Sequence, residues 1–206
     1  MTKGEEEQAF FHELGLAICN WNFVESGIYE IMTAVSEPQD HAAIGFGFFA
    51  IDNFRAKLLF ADEFLKRKLS DSSRRNEWDG FVTRLRKTVA RRNRLAHDRV
   101  FIYVLGSPGR RFALEEWPNG KPRKNASWPA KKPRDGALCL RDVVSCKRDF
   151  YYLSLELKNF RATLLGRKIP HPEVHGRAES PPTIRAITRQ MHEALGHPQK
   201  PSRPKS

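Results

Sequence analysis

Arg92, Asn93 and His97 are the residues of this 206-residue chain whose types and spacing suit a reaction. Asn93 and His97 are four positions apart, so on a helix they share one stripe, and Arg92 flanks that stripe by one residue's rotation. Breaking an RNA phosphodiester without a metal calls for a group that titrates near neutrality and a cation to offset charge building on the phosphorus oxygens. His97 would serve as general acid and base, Arg92 would stabilise the pentacoordinate phosphate, and Asn93 would orient it without changing charge. A second reading stands beside this one: arginine and histidine in the last turn of a helix meet the negative end of its dipole and act as a cap.

The stretch around these residues, "RRNRLAHDR" from 91 to 99, is basic throughout. Arg84, Lys87, Arg91, Arg94 and Arg99 place positive charge where an RNA backbone would enter, although a solvated basic face explains them too. Asp98 ends the helix beside His97 as a supporting residue. Farther on, Trp128 among lysines and arginines suits base stacking of the kind single-strand binders use, against the alternative of a solvated loop with incidental aromatics.

The elements that must position these residues are legible from periodicity. From 5 to 35, Phe11, Leu14, Ile18, Trp21, Ile28, Met32 and Val35 fall at three-and-four spacing, the mark of one helix face. Glu25 interrupts that seam with a carboxylate, which is costly to bury unpaired. Two partners are open to it: an inward-pointing Arg92, or another buried base such as Arg55. Residues 41 to 69 are apolar on several sides and predict one central helix. Ser72 or Ser73 reads as the N-cap of a third helix, whose stripe is Trp78, Val82, Leu85 and Val89. Extending that stripe lands on Arg92, which therefore points inward or toward an interface.

"RVFIYVLG" and "RFALEEW" read as two strands of a hairpin turned at "GSPGR". Residues 118–136 form a basic Pro- and Gly-rich loop, and a fourth helix runs from 140 to 165, stopped by Gly166. Residues 169–206 read as a basic C-terminal tail with a short helix over 183–195. The expected architecture is an all-α, four- to five-helix up-down bundle with a small β-hairpin before the last long helix, occupying residues 1–168.

The net charge of +12 is unevenly placed: residues 1–98 hold 14 Lys and Arg against 15 Asp and Glu, and residues 99–206 hold 22 against 9. Such a field favours a polyanionic partner. Three cysteines without a C-x-x-C pair argue against a disulfide framework, and no uncharged run reaches the ~20 residues of a membrane span. A cytoplasmic protein without membrane attachment is expected. "HPEVH" places His171 and His175 at a metal-like spacing, but prolines flank it and no further ligand completes a site, so no metal and no cofactor are expected. Phosphate-loop, serine-hydrolase and zincin motifs are absent from the sequence.

The motif "RNRLAH", carried by Arg92, Asn93 and His97, resembles that of HEPN domains, small helical bundles whose signature is an arginine, four to six residues, then a histidine, frequently with asparagine after the arginine. The order of helices over residues 5–165 is similar as well. The resemblance implies a homodimer that joins two copies of the motif in one cleft, and a metal-independent endoribonuclease of toxin or defence type. It also admits a non-catalytic module that binds nucleic acid or a protein partner. A subset of the family carries His-x-Tyr as a target of an antitoxin; here Arg99 stands at the tyrosine position, which puts that form of regulation in doubt.

Overall fold

The computed structural model describes residues 2–103, 111–115 and 136–167. The expected hairpin turn, the expected basic loop over 118–136 except for Gly136, with its Trp128, the His171 and His175 pair and the 183–195 helix lie outside the described residues. Five α-helices carry the structure: α1 (Lys3–Ala34), α2 (His41–Phe49), α3 (Phe54–Lys68), α4 (Ser72–His97) and α5 (Leu140–Leu164). A 3-10 turn (Pro38–Asp40) precedes α2, and three short strands, β1 (Arg99–Ile102), β2 (Phe112–Glu115) and β3 (Leu138–Cys139), lie between α4 and α5. The chain is a mostly helical bundle with a small antiparallel sheet before the last helix.

Local chemistry sets the helix boundaries. Thr2 and Glu5 form a capping box at the start of α1, each side chain accepting the other's backbone N–H. The single helix expected over 41–69 is two helices, because Asn53 accepts the Arg55 N–H at 2.8 Å and restarts the chain as an N-cap. Asp71, not Ser72 or Ser73, caps α4, accepting the Ser73 N–H at 2.8 Å. Gly166 follows α5 with φ +65°, the left-handed conformation that closes a helix end. The expected hairpin is the β1–β2 pair, with Arg99 opposite Glu115 and Ile102 opposite Phe112, and β3 extends it to three strands through Ala113 opposite Cys139.

Pairings across the bundle fix its directions. Asn20 donates to the Lys147 carbonyl and Arg161 pairs with Glu30, so α1 and α5 ascend together in parallel. Arg84 pairs with Glu156 and Arg91 with Asp149, so α4 runs antiparallel to α5. The α1–α5 pair is close enough that a Cβ on Gly27 would stand 3.3 Å from the Leu157 Cβ.

The buried seam of α1 is Phe10, Ala17, Trp21, Val24, Ile28 and Ile31, whereas Phe11 is 48% exposed and Ile18 40%. The expected seam is therefore one residue out of register over the first half of α1, and Val24 takes the position assigned to Glu25. Residues 41–69 are also less central than expected, for Phe46 and Phe49 of α2 face outward. The α4 stripe of Trp78, Val82, Leu85 and Val89 is buried as read from the sequence. Trp21 packs between Phe54 and Phe150, with ring centroids 4.7 and 5.1 Å away, and its indole N–H is satisfied by Glu25. No helix among the described residues is long and apolar enough to cross a membrane.

Candidate functional site

The last two turns of α4 carry Arg92, Asn93 and His97, and they do not all face one way. Helix geometry rotates each residue by about 100°, so Arg92 and His97 leave α4 about 140° apart. Arg92 turns toward α1 and is half-buried, while His97 is exposed at the helix end. The structure brings Arg92 and Asn93 together, with Arg92 Nη1 donating to Asn93 Oδ1 at 3.3 Å. Asn93 and His97 share a stripe, and the His97 ring makes no hydrogen bond or ion pair with a described residue.

Arg92 is held by a four-residue cluster around Glu25. The Trp21 indole donates to Glu25 Oε1 at 2.7 Å, Lys57 Nζ stands 2.9 Å from Oε2, and Arg92 Nη2 stands 3.8 Å from Oε1. The carboxylate is therefore satisfied by one neutral donor and two cations from three helices, α1, α3 and α4. Lys57, rather than Arg55, is its nearest cation. Lys57 also lies over the rings of Phe48 and Phe49, 5.6 and 5.8 Å from their centroids, which fixes its head group between α2 and Glu25. Since Lys57 takes the short contact, Arg92 is positioned by Glu25 yet keeps guanidinium donors available.

The remaining basic residues divide by partner. Arg91 pairs with Asp149 at 2.7 Å and Arg84 with Glu156, and both contacts staple α4 to α5. Arg94 donates through Nε to Asp98 at 2.9 Å and through Nη2 to the Leu114 carbonyl at 3.4 Å, so Asp98 fastens Arg94 to the sheet and does not orient His97. Arg99 is exposed at the start of β1. Lys87 lies in a shallow depression with Thr88, Arg91, Asp149 and Tyr152 and has no ion-pair partner among the described residues.

The sequence reading did not single out Lys57, and it offered no periodic signal for it, because the residue's position depends on the break before α3. Arg86 belongs to the basic stretch "RLRK", residues 84–87, that precedes the motif. That residue lies on α4 seven positions before Asn93, on the stripe shared with His97. Among the described residues no group of three or more His, Cys, Asp or Glu side chains converges as metal ligands would.

No protein-family model, no curated protein and no solved structure matches this chain.

Proposed function

We propose that the protein acts on RNA, as a metal-independent endoribonuclease of a toxin or defence type. One observation carries the reading: a solvent-facing histidine with no partner among the described residues stands on the same stripe as Asn93, next to an arginine that a part-buried carboxylate cluster holds in place. His97 would take the proton of the ribose 2′-hydroxyl or return one to the leaving oxygen. Arg92 would offset charge on the phosphorus oxygens, and Asn93 would hold the phosphate. Because Arg92 and His97 diverge around α4, the reading includes a homodimer in which the Arg92 of one copy works with the His97 of the other.

The same divergence favours a second reading, a non-catalytic dimeric module that binds nucleic acid or a protein partner such as an antitoxin, with Arg92 as a structural ion pair. Incubating wild type, His97→Ala and Arg92→Ala proteins with single-stranded and structured RNA in EDTA separates the two. The catalytic reading expects wild-type cleavage that both substitutions abolish. Wild-type inactivity, or cleavage that survives both changes, would leave the binding module.

A further inference from the structure

Between α3 and α4 lies an open groove of about 280 Å³, lined by Phe54, Arg55, Leu58, Leu59, Arg86 and Val89. Its floor is apolar, with Phe54, Leu58 and Val89 belonging to the core and Leu59 forming a lip that is 56% exposed. A guanidinium stands on each side. Arg55 has no ion-pair partner among the described residues. Arg86 lies 3.5 Å from Asp62, but that carboxylate is engaged more closely by Lys66 at 2.9 Å and by the Trp78 indole at 3.1 Å. Both arginines are thus available to an anion.

An apolar floor with an arginine on either side suits a ligand with a flat ring and a phosphate, since guanidinium groups bind phosphate bidentately and also stack on bases. The groove is aligned with the motif: Arg86, Asn93 and His97 share one line of α4, which spans about 16 Å from first to last at ~1.5 Å per residue. A strand leaving the groove toward the C-terminal end of α4 passes Asn93 and reaches His97.

We infer that the α3–α4 groove is a nucleoside phosphate subsite, in which the base packs on Leu58, Leu59 and Val89 and the phosphate sits between Arg55 and Arg86. The occupant's chemistry is common to a free nucleotide and to one residue of an RNA strand. The inference rests on the RNA-directed reading only for the choice of polymer.

Binding is followed on the full chain with His97→Ala in every arm, so that cleavage cannot consume the probe, by the anisotropy of a fluorescein-labelled single-stranded RNA; a parallel cleavage assay in EDTA uses wild type and the same groove variants with His97 intact. Competitors are AMP, inorganic phosphate and oligoglutamate. Arg55→Glu and Leu59→Glu change exposed positions, and Leu59→Ala repeats the second without a charge; melting curves confirm that each variant folds. Lys158→Glu on α5 makes the same charge change as Arg55→Glu at an exposed position away from the groove. The subsite predicts that Arg55→Glu and Leu59→Glu weaken RNA binding at least about tenfold, that Lys158→Glu changes it less than about threefold, and that AMP displaces RNA at lower concentration than phosphate.

AMP that binds directly about as tightly as the RNA, and loses that binding in Arg55→Glu, assigns the groove to a free nucleotide; AMP that displaces RNA below the concentration phosphate needs but binds at least about tenfold more weakly than the RNA assigns it to a strand. Groove variants that behave like Lys158→Glu, or oligoglutamate that displaces RNA as well as AMP does, overturn the proposal. A wild type that binds through the groove yet cuts nothing sinks the nuclease reading alone. Cutting that depends on His97 but not on Arg55 or Leu59 sinks the subsite alone.

Discussion

Glu25 reaches Arg92 at 3.8 Å across the α1–α4 interface while its shorter contact, 2.9 Å, goes to Lys57 on α3. One carboxylate thus joins three helices, and deleting it leaves two cations and an indole N–H without their acceptor. Glu25→Ala should cost about 2–4 kcal/mol in urea unfolding. Glu25→Gln keeps an acceptor for Trp21 and should cost about 1 kcal/mol less. Equal stability of the alanine variant and wild type would show that the cluster contributes nothing.

His97 is exposed and unpaired among the described residues, so His97→Ala should leave the unfolding free energy within about 0.5 kcal/mol of wild type. Expression in bacteria gives the functional half of this prediction: wild type slows growth and the His97→Ala protein does not. Equal tolerance of the two would count against the nuclease.

The register of α1 is open to a direct check by denaturant melts. Phe10 is fully buried against Phe112 and Phe11 is 48% exposed, so Phe10→Ala should cost about 3–4 kcal/mol and Phe11→Ala about 1. The reverse order would restore the seam read from periodicity.

That seam shows where sequence reading succeeds and where it stops. Trp78, Val82, Leu85 and Val89 form an unambiguous stripe, and they are buried as expected. In α1 two adjacent phenylalanines fit the same spacing equally well, and the position that decides between them is Ala17, too small to weigh in a hydrophobic pattern but fully buried against its neighbours. Glu6, buried and accepting the Arg111 backbone N–H at 2.8 Å, reads in sequence as one of three consecutive surface glutamates. The break before α3 rests on one Asn53 hydrogen bond inside an otherwise continuous apolar run. For the site, i,i+4 spacing placed Asn93 and His97 on one stripe and the inward turn of Arg92 followed from the α4 stripe. Lys57 was invisible, because its proximity to Glu25 is a property of the tertiary packing of α2 and α3.

Burial pushes the Cys146 thiol up from its ordinary range, while Cys19 is exposed on α1. Native protein treated with iodoacetamide near neutral pH should therefore be modified at Cys19, with Cys146 reacting only after denaturation. Mass mapping of the alkylated sites gives the answer, and fast native labelling of Cys146 would contradict its burial.

Lys66 is pushed up from its ordinary range by its hydrogen bond to Asp62, partly offset by desolvation. A lysine raised on folding contributes stability that is fully present below its unfolded pKa and is lost as pH rises through the folded one. The Lys66–Asp62 contribution should hence vanish on the alkaline side, and Lys66→Ala should flatten that limb of the stability curve while leaving neutral stability within about 1 kcal/mol, the lysine being half-exposed. Asp62→Ala also strips the buried Trp78 N–H of its acceptor and should cost about 3 kcal/mol at neutral pH.

The parallel pairing of α1 with α5 has a consequence for synthesis. Gly27 and Trp21 on α1 are closed over by Leu157 and Phe150, residues translated more than a hundred codons later. Until the ribosome has released α5, this face of the first helix is covered only in part, by Phe54 against Trp21, and the nascent chain carries an exposed apolar strip of the kind that chaperones bind. Folding of this bundle is therefore completed only when its final described helix arrives to close over its first.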